Sequence, residues 1–130
     1  MNDTQLIEQF ESGELQSFRH RDHIQVAWLY LSQSGWNQGY QQIQNGIQNF
    51  ARVHNALSKY HETITRFWAL MIHQAIEANP DCIDFEEFAS AYPQLLDKTL
   101  IRDYYSSTLL ANQDARQTWH APDLKPLVLE

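Results

Sequence analysis

A chain of 130 residues, 43% of them hydrophobic, is the size of one ordinary domain and carries enough apolar material for a real core. The formal charge of −7, from 16 acidic and 9 basic residues, repels a phosphate backbone, and no Lys/Arg run offers a local exception, so nucleic acid is set aside as the main partner. With only 4 Gly and 4 Pro, a turn-rich all-β fold and a disordered chain are both excluded.

The lone cysteine, Cys82, has no internal disulfide partner, which fits a reducing compartment. The opening MNDTQLIEQFESG is polar and acidic, unlike a secretory signal. The longest apolar run, Phe67 to Ile72, is far shorter than the roughly 20 residues that span a bilayer. The expectation is a cytoplasmic protein with no membrane partner. The expected fold is all-α. It is a single domain over residues 1–130, an orthogonal or up-down bundle of about five to six helices with an extended C-terminal tail.

In chain order, residues 3–11 predict a short first helix, with Asp3 as N-cap, Gly13 as stop, and Leu6, Ile7 and Phe10 on the buried face. Ile24, Ala27, Trp28 and Leu31 recur at helical spacing and predict a second helix from about His20 to Ser32, with Ser17 or Asp22 as N-cap. Gly35 breaks the chain. Trp36, Tyr40, Ile43, Ile47, Phe50 and His54 then form a bundle seam and predict a third helix from about Asn37 to His54. Gly39 and Gly46 lie near that seam. Either they let a neighbouring helix approach closely, or they are flexible spots.

A fourth helix is predicted from His61 or Glu62 to about Glu77. Ile64, Trp68, Met71, Ile72 and Ala75 lie on its inner face, and Asn79-Pro80-Asp81 ends it. Asp84 followed by Glu87 is a capping-box-like start for a fifth helix through Ala91. A sixth, near Pro93, would use Leu96, Leu100, Ile101, Tyr104 and Tyr105, and a last turn or two would span Asn112 to Trp119. The tail from Ala121 carries two prolines and reads as extended, and Leu124, Leu127 and Leu129 suit it to packing on the bundle.

The suggestive chemistry lies in three of the 6 histidines. His20 and His23, spaced i and i+3, share a helix face, the spacing used by ligand pairs in metal-binding bundles. His61 opens the fourth helix on the stripe of Ile64 and Trp68. If the second and fourth helices run parallel, the three imidazoles meet at one end of the bundle. His20, His23 and His61 are then candidate ligands for a divalent metal (Zn, Fe, Ni or Mn), with Glu62 as a fourth and Asp22 as an orienting partner. Without a metal, His20, His23, His61 and Glu62 are candidate catalytic acids and bases in a polar pocket. A third reading makes the histidines structural, donating to a backbone carbonyl or capping a helix.

Tyr60, Thr63, Trp28, Trp68 and Arg116 are the candidate substrate-binding residues, with Thr65 as a further donor. The helix N-termini favour an anionic group on the ligand, and Arg116 suits a carboxylate. Capping accounts equally well for Thr63 and Thr65, and core packing for Tyr60. Asp123 either folds back to hold a histidine or forms a turn. His54 reads as a partly buried core residue, and Cys82 has no paired base that would make it a nucleophile.

Phe18-Arg-His20-Arg-Asp22-His23 and Lys59-Tyr60-His61-Glu62-Thr63, with Ala115-Arg116, Trp119 and Pro122-Asp123-Leu124 near the end, resemble a family of small, uncharacterised bacterial proteins. The resemblance covers most of the chain. It implies that these residues act as one set and carries no activity with it. Two functions stand at this point. One is a small-molecule-binding helical protein with a histidine-lined pocket, extending to a metal-dependent hydrolytic or oxidative enzyme. The other is a non-catalytic interaction or regulatory module that pairs with a partner or forms a homodimer, supported by the abundance of aromatic residues.

Overall fold

The structure, a computed structural model, describes residues 1–127. It is all-helical, and no strand occurs among the described residues. No helix there is long and apolar enough to cross a membrane. The chain divides into two compact units, Met1–Tyr60 and His61–Glu130.

In the first unit, α1 spans Asp3–Ser12. Its N-cap is Asn2, one residue earlier than the sequence suggests. The Asn2 Oδ1 accepts the Gln5 N–H at 2.8 Å, and the Gln5 side chain returns the bond to the Asn2 N–H at 3.1 Å. Gly13 closes the helix at φ 81°, a left-handed turn suited to glycine. Leu6 and Phe10 are buried, and Ile7 is half-buried beside them.

The second helix, α2, runs His20–Val53 as two arms that break at Gly35, where φ is 75° and ψ is −175°. Side-chain-bearing residues avoid that region, so this one glycine divides the apolar stripes on either side. The arms then pack closely. A Cβ on Gly39 would stand 3.0 Å from the Leu31 Cα and from the Tyr30 carbonyl oxygen. A Cβ on Gly46 would overlap the Phe10 ring of α1. Both glycines therefore serve close packing. The seam fades along the second arm: Tyr40 and Ile43 are buried, Ile47 and Phe50 are half-buried, and His54 is exposed just past the end. A 3₁₀ turn, Leu57–Lys59, completes the unit.

In the second unit, α3 spans Glu62–Ala78 with His61 as N-cap, and α4 spans Phe85–Ala91 with Asp84 as N-cap. The Asp84 carboxylate accepts the Glu87 N–H at 2.9 Å. Glu87 in turn accepts the N–H of Ile83, one residue before the usual capping-box partner. The predicted sixth helix is replaced by two 3₁₀ segments, Pro93–Leu96 and Lys98–Asp103. The Asp97 carboxylate accepts both the N–H and the hydroxyl of Thr99, which restarts the chain and stops α-helical hydrogen bonding through the run. Short helices α5, Ser107–Leu110, and α6, Gln113–Gln117, follow, capped by Ser106 and Asn112.

The core of this unit is Phe67, Ile101 and Tyr105, ringed by Trp68, Tyr104 and Trp119 among others. Leu127 packs on the same core, whereas Leu124 is 58% exposed. The tail is thus partly seated, as its prolines and leucines suggest. Leu129 lies outside the described residues.

Candidate functional site

His20 and His23 occupy the first turn of α2, so the helix starts early enough to include both. The N-cap is Arg19, a position that neither Ser17 nor Asp22 takes. Asp22 sits inside the first turn, where its carboxylate accepts the Arg19 N–H at 2.9 Å. It fastens the helix start. The His23 ring stacks on Phe18 with centroids 3.8 Å apart, and Phe18 stacks in turn on Phe10 at 4.8 Å. Burial pushes the His23 pKa down to about 4, the neighbouring His20 adds to the shift, and Asp22 opposes it. His23 is accordingly a neutral imidazole at pH 7.

Elsewhere in the first unit, Trp28 is buried in α2. Tyr60 ends the 3₁₀ turn, its N–H donating to the Leu57 carbonyl at 3.0 Å. His54 is bound to the Gly13 carbonyl through Nε2 at 3.1 Å and lies against Phe50, although it is exposed where the seam suggests partial burial.

In the second unit, His61 is buried and both its ring nitrogens are engaged by backbone. Nδ1 accepts the Ile64 N–H at 3.2 Å, and Nε2 lies 2.8 Å from the Leu110 carbonyl oxygen. A carbonyl only accepts, so Nε2 carries the proton and Nδ1 the lone pair. Burial lowers the His61 pKa; the Leu110 bond opposes this, and the positive charge of Arg116 lowers it further. The residue fits the structural reading: a neutral histidine capping a helix and tying it to a carbonyl. To take a metal or to transfer a proton, it would first have to break one of these bonds.

Thr63, fully buried, works in the same way. Its hydroxyl donates to the Thr118 carbonyl at 2.9 Å and accepts the His120 N–H at 3.1 Å. Thr65 donates its hydroxyl to the His61 carbonyl at 2.8 Å. The threonine roles expected toward a ligand are thus taken up by the fold. Trp68 is half-buried on the core, edge-on to Phe67 at 5.1 Å. Glu62 stands in the first turn of α3, and Arg116, half-buried on α6, is close enough to His61 to affect its ionisation.

Asp123 folds back, but onto Ser106 and not a histidine. Its two carboxylate oxygens accept the Ser106 N–H at 2.8 Å and the Ser106 hydroxyl at 2.6 Å, and these bonds lower its pKa. Burial, followed by the charges of Glu87, Asp81 and Asp84, raises the Cys82 pKa, which opposes a thiolate role.

Among the described residues, no group of three or more His, Cys, Asp or Glu is placed to hold a metal ion. Shallow grooves beside α1 are lined by residues such as Gln5, Glu8 and Glu14, or Asp3, Ile7 and Leu29, and none of the expected site residues lines either. Leu110 and Ser106 carry no expectation from sequence, and Tyr105 is expected there only as an apolar position. They act through a carbonyl, a capping hydroxyl and a phenol, which leave no mark at helical spacing. Comparison with protein-family models, curated proteins and solved structures found no match.

Proposed function

We propose that this chain is a small-molecule-binding helical protein, and that it receives an anionic group of its ligand at the start of α3 through Arg116. What supports this is the packing of α6, which carries Arg116, against α3, together with the positive charge that Arg116 adds near His61, the N-cap of that helix. A helix of 17 residues presents partial positive charge at its first turn, and a guanidinium matches a carboxylate or phosphate with paired donors. Glu62, in the same turn, disfavours a bare anion and favours one flanked by a donor, such as an amino-acid-like group. This proposal needs no metal from His20, His23 and His61.

The test is NMR titration of the intact protein with phosphate, acetate and glycine. Saturable shifts of the first-turn amides of α3 are expected with at least one probe, weakened about tenfold or more in Arg116→Gln. Identical shifts in that variant, or none in the wild type, would overturn the proposal.

A second reading, an interaction module, draws support from Ile83, 86% exposed, and from Val53 and Leu57, each 50% exposed. It calls for a concentration-dependent sedimentation coefficient that Ile83→Asp or Leu57→Asp removes. A monomer at all concentrations would count against self-association.

A further inference from the structure

Charge is segregated along this chain. No Asp or Glu occurs between Asp22 and Glu62, and no Lys or Arg between Arg66 and Lys98. Each of these stretches carries an exposed apolar corner. In the first, the chain reverses just past α2 at Asn55, where φ is 56° and the Asn55 N–H donates to the Arg52 carbonyl at 3.1 Å. Val53 and Leu57, each 50% exposed, flank this reversal, and the exposed Arg52 and Lys59 stand outside them. In the second, the loop between α3 and α4 presents Ile83, 86% exposed, among the exposed Asp81, Asp84, Glu86 and Glu87.

The acidic corner is a fixed feature of its unit. Glu87 holds the Ile83 N–H at 3.0 Å. The thiol of Cys82, the preceding residue, is raised in pKa by burial and then by the charges of Glu87, Asp81 and Asp84, so three of the carboxylates converge there. An apolar centre inside a charged rim is the usual anatomy of a protein contact. Against a copy of itself, each corner would set like charge on like charge. Against the other, cations meet carboxylates around two apolar centres. The matching faces are different faces, so a contact between them is heterologous and runs head to tail.

We infer that this chain pairs with a second copy of itself head to tail, the Ile83 corner of one copy docking on the Val53 and Leu57 corner of the next. The inference rests on the interaction reading above and names its partner. The corners are small and each copy carries a net charge of −7, so the association is weak and reversible.

The experiment is sedimentation velocity of the full chain over a range of concentrations. It uses the wild type, Ile83→Asp, Leu57→Asp, Lys59→Glu and an equimolar mixture of the first two variants. The wild-type sedimentation coefficient is expected to rise with concentration. Ile83→Asp and Leu57→Asp should each weaken association about tenfold or more, through loss of an apolar anchor. Lys59→Glu, a change at an exposed rim, should weaken it about fivefold. The mixture decides the geometry. Ile83→Asp keeps the basic corner and Leu57→Asp keeps the acidic one, so together they should regain pairing at wild-type strength and stop at one-to-one dimers. A wild type that self-associates, with a mixture no stronger than either variant alone, would overturn the head-to-tail contact while sparing the interaction reading. Wild-type association in Lys59→Glu would overturn the charge match and the inference with it. A wild type that stays monomeric at all concentrations would overturn both the inference and self-association.

Discussion

His61 shows why a polar residue on an apolar stripe is ambiguous. Its spacing before Ile64 and Trp68 is that of an inward-facing residue, and the histidine is indeed buried. A ligand and a cap are buried alike. The choice depends on where the two nitrogens find partners, and one of those partners, the Leu110 carbonyl, is 49 residues away. Local sequence does record Asp84 and Glu87, because their partners lie within the same turn. The account predicts that His61→Ala costs about 2 kcal/mol or more in urea unfolding, from a lost cap and an unsatisfied carbonyl. His61→Asn retains an acceptor for the Ile64 N–H and should cost roughly half as much. Equal losses in the two variants would show that the cap contributes nothing.

At the level of elements, glycine placement was the most legible part of the fold. Gly35 divides two apolar stripes, and Gly39 and Gly46 lie beside the seam; all three have a physical task. In an isolated helix, Gly→Ala gains up to about 1 kcal/mol. Here the sign reverses. Gly39→Ala and Gly46→Ala should each destabilise by about 1–3 kcal/mol, since the added methyl meets a backbone or a packed ring. Gly35→Ala should cost a similar amount through strain alone, because nothing lies within 4 Å of its missing Cβ. Chemical denaturation of the three variants checks this, and a stabilised Gly39→Ala would contradict the close approach of the arms. The stretch after Pro93 was less legible. Its apolar spacing is helical, but Asp97 and Thr99 satisfy each other locally, and side-chain competition of that kind overrides periodicity.

At the scale of the whole molecule, acid sensitivity follows from the histidines. His23 and His61 both have pKa values below the ordinary 6.5, so the unfolded chain binds protons that the folded chain refuses. Stability from these residues is complete above pH 6.5 and declines as the pH falls, with the His23 contribution lost by about pH 4. Asp123, shifted down by Ser106, retains its contribution to lower pH and loses it only below the ordinary 3.8. Urea midpoints across this range should fall between pH 6.5 and 4, and His23→Phe should flatten the fall while keeping the ring on Phe18. A wild-type midpoint that holds constant over that range would contradict both histidine assignments. The charge pattern belongs to this scale too. Residues 61–130 carry 11 acidic and 5 basic residues against 5 and 4 in residues 1–60, so any anion approaching Arg116 does so through a repulsive field.

The central claim is that His61 is a fixed, neutral part of the fold. Nitrogen-15 NMR of its imidazole at pH 7 tests it most directly. The account predicts the tautomer with the proton on Nε2, a slowly exchanging Nε2–H coupled to the Leu110 carbonyl, and an Nδ1 shift typical of a hydrogen-bonded lone pair. A proton on Nδ1, an imidazolium, or an Nε2–H in fast exchange with water would contradict it.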